Sequence, residues 1–319
     1  MMLGNIDPEL LEAIAASPYS KIKYEYLLQN DPTKIRAEEL RLSLNEEPLI
    51  IPEQLLVENM LIPSSQSEEP IRLRIYKPKA KQDLPVLLYF HGGAFIYGTP
   101  EQYDFILFEL ALEVGMLIVS VDYRLAPEYP FPAAIEDGYD TLLWLYENAS
   151  KLDGNKNMII IGGSSAGATI AASITHLARD KKNKMIQHQY LLYPPMCDTL
   201  KSPSMDSLAK APMQTKIAAT WMWKHYLWNG RTHVPRYGVP LREVNFHHLP
   251  HATIVVCEFD PLKDEGKLYA EKLCLAGTSV ELLEIKGAVH AFDFFPCLLS
   301  ETFYAQQIEL FKKIINQKK

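Results

Sequence analysis

The sequence predicts an open α/β sheet with helices on both faces, and three observations lead there. Short apolar runs recur from residue 71 onward, helical stretches separate them, and no internal repeat breaks the alternation. The runs are four to six residues long and bounded by turn residues, as expected of strands buried on both faces of a mostly parallel sheet. The chain has 319 residues, 48% of them hydrophobic, enough for one large core or for a core domain carrying a smaller appendage.

In chain order, residues 71–76 alternate apolar and charged side chains, as a half-exposed strand does. PVLLYF (85–90), MLIVSV (116–121), MIII (158–161), YLLY (190–193) and TIVVC (253–257) are buried-strand candidates, and VELLEI (280–285) is a further strand. Helical patterns fall at 102–114, 133–148, 166–179, 263–276 and near 302–316. Two regions stand outside this alternation. Residues 1–45 read as amphipathic helices with Leu10, Leu11, Ile14, Tyr24, Leu27, Leu28 and Leu40 as buried positions. Residues 196–245 open irregularly and then run helically from 212 to 228 with Trp221, Trp223, Tyr226 and Trp228. These aromatics either dock the segment onto the core or wall an acyl pocket. We therefore delimit an N-terminal helical cap segment (1–50) and a catalytic domain (51–319) with a cap insertion at about 196–245. Both cap regions are placed to cover the carboxyl ends of the strands, where open α/β sheets bind ligands.

Composition excludes several functions. Lys and Arg total 32 against 39 Asp and Glu, a net charge of -7, with no clustered basic stripe. Nucleic acid and anionic lipid therefore gain no attraction. The amino end, MMLGNIDPEL, lacks the basic and apolar regions of a signal peptide, and no apolar run approaches the roughly 18 residues of a membrane span. Cys197, Cys257, Cys274 and Cys297 show no metal or disulfide-framework spacing and read as idle thiols, so a cytoplasmic location is expected.

The sharpest local signal is Gly163-Ser164-Ser165-Ala166-Gly167, between the strand MIII and a helical pattern. A G-x-S-x-G in that setting is a nucleophile elbow. The serine occupies a tight turn, so its neighbours must be small, and the helix beyond it aims free N–H groups at the reacting centre. Upstream, PVLLYF runs into His91-Gly92-Gly93-Ala94-Phe95, which matches the HGGG-type oxyanion loop of lipases and esterases. The amides of Gly92, Gly93 and Ala166 are the expected oxyanion donors, and His91 is read as structural. An acid and then a base should follow the serine. Asp260, just past TIVVC, takes the acid role over Glu258, Asp264 and Glu265, the last two reading as first-turn helix acids. His290 follows VELLEI and is the sole histidine after Asp260. The other histidines, among them His247 and His248, show no metal-ligand spacing.

With these motifs in order (HGGAF, DYRLAPEYPFPAAIED at 122–137, GSSAG, DPLKDEG at 260–266 and the His290 loop), the sequence resembles the hormone-sensitive lipase-like family of α/β-hydrolases over about residues 70–295. The resemblance implies a sheet of about eight strands and a Ser165-Asp260-His290 triad. It also implies hydrolysis of short- to medium-chain esters through an acyl-enzyme, without a cofactor or metal. Ala94 stands where the family loop most often has a third glycine, and Ser164 where many members carry Asp. Tyr123, Arg124 and Glu128 read as a buried polar network under the site. An amidase of the same fold and a non-catalytic small-molecule binder are the rival readings. A homodimer is compatible with the sequence, but no feature specifies one.

Overall fold

The computed structural model describes residues 5–227 and 234–316, which leaves Trp228, His233 and the first four residues outside the described set. Eight strands form one sheet: β1 (Leu55–Ile62), β2 (Ile71–Pro78), β3 (Leu84–Phe90), β4 (Leu117–Asp122), β5 (Gly154–Ser164), β6 (Ile186–Leu192), β7 (His251–Cys257) and β8 (Val280–Ile285). Their order is β1-β2-β4-β3-β5-β6-β7-β8. β1 and β2 pair antiparallel with β2 and β4 respectively, and the other pairs are parallel.

The seven strands expected from sequence are all present. β1 was not expected: LLVENMLI carries Glu58 and Asn59 mid-strand, so neither the alternation nor the continuous apolar run appears. It lies at the sheet edge with exposed central residues, and pairing with β2 defines it as a strand.

Among the described residues there are ten α-helices: α1 (Pro8–Ala16), α2 (Tyr24–Asn30), α3 (Lys34–Ser43), α4 (Asp104–Leu110), α5 (Ala133–Asn148), α6 (Ala166–Asp180), α7 (Pro203–Ser207), α8 (Lys216–Leu227), α9 (Lys263–Leu275) and α10 (Leu298–Asn316). Because successive strand residues point to opposite faces, the central strands feed two core layers. Val86, Leu88 and Phe90 of β3 join Val119, Ile159, Ile161 and Ile254 in one layer, with Leu142 of α5 and Ile170 of α6. Leu87 and Tyr89 join Ile118, Ile160 and Val255 in the other, with Leu107 of α4 and Phe311 of α10. This two-sided covering explains why the central strands are apolar throughout. None of the described helices is long and apolar enough to cross a membrane.

The N-terminal helices lie against the loop after β8 and the turn around Ile96. Asp7 caps α1 by accepting from Leu10 N at 3.0 Å, and its own N–H donates to Gly287 O, in the loop leading to His290. Leu27, Leu28 and Ile35 from α2 and α3 pack with Ile96, Ala126 and Ala218. Of the apolar positions expected to be buried, Leu10, Leu27 and Leu28 are, whereas Ile14 and Tyr24 are half-buried and Leu11 and Leu40 face solvent. α1 and α3 instead bury Leu10 and Ile35, which leaves Leu11 and Leu40 on their outer sides.

Candidate active site

The sheet order reverses at β3, whose neighbours are β4 and β5, so the switch point at which open α/β sheets bind ligands falls at the carboxyl ends of β3 and β5. Phe90 pairs with Gly163 there. The register thus brings His91–Phe95 beside Ser165. The carboxyl ends of β7 and β8 lie on the same edge, since Ser164 pairs with Leu192, Leu192 with Val255, and Cys257 with Ile285.

Ser165 sits at φ 51° and ψ -122° between β5 and α6. A non-glycine residue at positive φ costs on the order of 1–3 kcal/mol and persists only where its surroundings hold it. Here the Ser165 N–H donates to Leu192 O at 2.9 Å, and its carbonyl accepts from Ala168 N and Thr169 N. The flanking glycines leave no room for a side chain. A Cβ on Gly163 would lie 2.5 Å from Phe90 O, and one on Gly167 would lie 2.0 Å from the same atom. The requirement for small residues read from the sequence is thus a requirement for close approach of β3, β5 and α6.

The structure brings Ser165, Asp260 and His290 together. Ser165 Oγ lies 2.9 Å from His290 Nε2, and His290 Nδ1 lies 2.6 Å from Asp260 Oδ2. Asp260 is fully buried and its Oδ1 accepts from Leu262 N at 2.9 Å. A carboxylate on Nδ1 places the ring proton there and leaves Nε2 free to accept from the serine hydroxyl. The three rival acids are engaged elsewhere. Glu258 accepts from Gly287 N, Asp264 from Ser204 N, and Glu265 from both Met196 N and Cys197 N. Asp264 and Glu265 do lie in the first turn of α9. Glu265 is nevertheless buried, which lifts its carboxyl to about 8.

Of the three amides expected to receive an oxyanion, one is engaged within the chain. The N–H of Gly92 donates to the buried Tyr103 Oη at 2.7 Å, so Gly92 is already satisfied. The amides of Gly93, Ala94 and Ala166 have no acceptor among the described residues. Gly93, Ala94 and Phe95 follow one another at φ 114°, 55° and 64°, so the chain turns sharply directly after Gly92. Nothing in the sequence around Tyr103 marks it as the partner of Gly92. His91 is buried and stacks on Tyr123, and its Nδ1 lies 2.7 Å from Gly92 O. Burial pushes its pKa down, which suits the structural reading.

The polar corner of 122–137 is partly as expected. Tyr123 Oη donates to His91 O, and Arg124 pairs with the buried Asp137. Glu128 is instead exposed, because it reaches outward to Arg36 of α3. Trp223 and Tyr226 are buried against Phe95, with the Tyr226 and Phe95 rings stacked at 3.8 Å, so α8 docks on the loop through them.

A second buried carboxyl lies close to His290. Tyr193 Oη donates to Asp293 Oδ1 at 2.8 Å, and the Tyr193 ring meets the imidazole edge-on at 4.8 Å. Burial lifts Asp293 to about 6. Sequence reading did not single out this pair, whose members are 100 residues apart. No cluster of metal-ligating side chains occurs among the described residues.

Residues 87–294 match the model of a family described by its alpha/beta hydrolase fold. Esterase LipI of Mycobacterium tuberculosis is 35% identical over 291 residues, covering 90% of this chain and 88% of its own length. Of solved structures, a bacterial heroin esterase superposes with a TM-score of 0.88 at 29% identity, covering 98% of this chain and 99% of that one. A hyperthermophilic esterase from the archaeon Pyrobaculum calidifontis superposes with a TM-score of 0.82 at 31% identity, covering 92% and 98%.

Proposed function

Because the chain belongs to the α/β-hydrolase fold family, among its hormone-sensitive lipase-like members, and is a carboxylic ester hydrolase, we propose that it works through Ser165, His290 and Asp260. The observation that carries this reading is the unbroken relay from Ser165 Oγ through the imidazole to Asp260, at 2.9 and 2.6 Å. In the proposed cycle, His290 Nε2 takes the serine proton as Oγ attacks the ester carbonyl. Asp260 holds the tautomer and stabilises the imidazolium. His290 then protonates the leaving alcohol, and water repeats the sequence on the acyl-enzyme to release the acid.

The oxyanion falls to the amides of Gly93, Ala94 and Ala166, Ala94 replacing Gly92 in the set expected from sequence. The engagement of Gly92 N with Tyr103 and the unclaimed amides of the other three support this choice. Each such donor is worth about 2.7–4 kcal/mol of transition-state stabilisation. Residues 1–50 and about 196–245 are the proposed cap, since α2, α3 and α8 pack against the 95–97 turn. Short- to medium-chain acyl esters are the proposed substrates.

The test is hydrolysis of p-nitrophenyl esters from acetate to laurate, with Ser165→Ala alongside. Activity that peaks at short acyl chains and vanishes in the variant is expected. Equal turnover by Ser165→Ala would remove the serine mechanism, and cleavage of anilides in preference to esters would move the chain to the amidases.

A further inference from the structure

Three consecutive residues of the oxyanion loop, Gly93, Ala94 and Phe95, hold positive φ, and two of them carry side chains. Such a stretch relaxes unless neighbouring groups over-determine it. Part of the restraint is internal: Ile96 N and Tyr97 N both donate to Gly93 O, and Ala126 N donates to Phe95 O at 2.8 Å. One further backbone acceptor of the turn, Ile96 O, is met from outside, by a side chain of the N-terminal segment. Arg36 Nε donates to Ile96 O at 2.6 Å, and its Nη2 donates to Ala126 O at 2.7 Å. The same guanidinium meets both Glu128 oxygens at 2.9 and 2.8 Å.

We infer that Arg36 is a positioning residue for ester hydrolysis: its planar fork ties the 93–97 turn to the 126–128 turn and holds the amides of Gly93 and Ala94 on the developing oxyanion. The inference deepens the mechanism proposed above and rests on it. A guanidinium suits the task, since its fixed donors set two carbonyls at a defined separation, which a lysine ammonium on a flexible stem does less well. The Glu128 pair plays another part. With side chains 32% and 46% exposed it is largely solvated, so its contribution to the turn is small. The N-terminal segment thus bears on rate through the loop it grips, in addition to covering the site.

The distinction between clamping the loop and merely anchoring a helix is measurable. Arg36→Ala, Arg36→Lys and Glu128→Gln are made in the full chain, and their folding is checked by thermal melts. Each is assayed on p-nitrophenyl butyrate and with an alkyl trifluoromethyl ketone, which forms a tetrahedral adduct at the serine. Arg36→Ala is expected to lower kcat roughly 10- to 100-fold with KM within about twofold, the scale set by misplacing a catalytic group by up to an ångström. Affinity for the ketone should fall in proportion to kcat/KM, because the adduct presents the oxyanion. Arg36→Lys should recover part of the loss, and Glu128→Gln should stay within about twofold of wild type, since the carbonyl bonds remain. Wild-type kcat in a folded Arg36→Ala, a loss confined to KM, or equal damage from Glu128→Gln would overturn the inference. If Arg36→Ala does not fold, Arg36→Lys decides by the same readouts. Activity surviving in Ser165→Ala would overturn the underlying mechanism, whereas a dead Ser165→Ala beside a fully active Arg36→Ala would overturn this inference alone.

Discussion

Replacing Gly163 by Ala would put a methyl carbon 2.5 Å from the carbonyl oxygen of Phe90 and 2.6 Å from the carbonyl carbon of Gly167. Both neighbours are backbone atoms, one at the end of β3 and one in the first turn of α6, so no side-chain rotation relieves the contact. To reach tolerable separations, β3 and α6 must part by about 0.5–0.9 Å. The elbow stands on that junction, and Ser165 Oγ keeps only a 2.9 Å bond to His290 Nε2. A displacement of this size in the proposed nucleophile is expected to cost about 100-fold in kcat. Overpacking typically costs about 1–3 kcal/mol of stability, a fall in Tm of roughly 2–10 °C for a chain of this size. The assay is steady-state hydrolysis of a p-nitrophenyl ester, with active sites titrated by an organophosphate, beside thermal unfolding. Gly277→Ala serves as the comparison. It has φ +85° with nothing within 4 Å of an added Cβ. It should lose about 1–2 kcal/mol through backbone strain alone and leave kcat unchanged. A Gly163→Ala variant with wild-type kcat and Tm would refute the argument that close backbone approach sets the elbow.

Asp260→Asn should fold normally yet lower kcat by about 10⁴-fold, because the amide supports the wrong imidazole tautomer; a loss under tenfold would transfer the acid role to another group. Glu265 yields a stability prediction with a definite sign. Burial raises its carboxyl from 4.5 to about 8, so between those pH values the folded chain binds more protons than the unfolded chain. Stability from this group is therefore full below about pH 4.5 and declines as pH rises toward 8. Glu265→Gln keeps an acceptor for Met196 N and Cys197 N without titrating, so its urea midpoint should fall less steeply than wild type between about pH 5 and 8. Parallel pH dependences would show that Glu265 is ionised throughout.

Much of this fold was legible because a buried parallel sheet imposes a simple pattern. β3, β4 and β7 are covered on both faces, and their sequences read as unbroken apolar runs. Helices α5 and α6 begin at the residues expected, Ala133 and Ala166. β1 escaped because an edge strand with a solvent-facing centre is under no such pressure, so LLVENMLI has no strand period. The elbow and the HGGAF loop were legible for a steric reason. Their small residues stand where a Cβ would strike backbone, and that requirement is written in consecutive positions.

The partners of those residues could not be read the same way. Sequence by itself determined the α/β class, the strand that carries Ser165, and the order in which Asp260 and His290 follow it, since each depends on local pattern or on chain order. Only the tertiary structure decided which carboxylate meets the imidazole and that Tyr103 claims the Gly92 amide. It alone also turned Glu128 outward to Arg36 and placed Asp293 beside Tyr193. Those pairings, one to a backbone amide and the rest between side chains, join residues 11 to 100 positions apart. Their distances are set by sheet register and helix packing, which no stretch of neighbouring residues encodes.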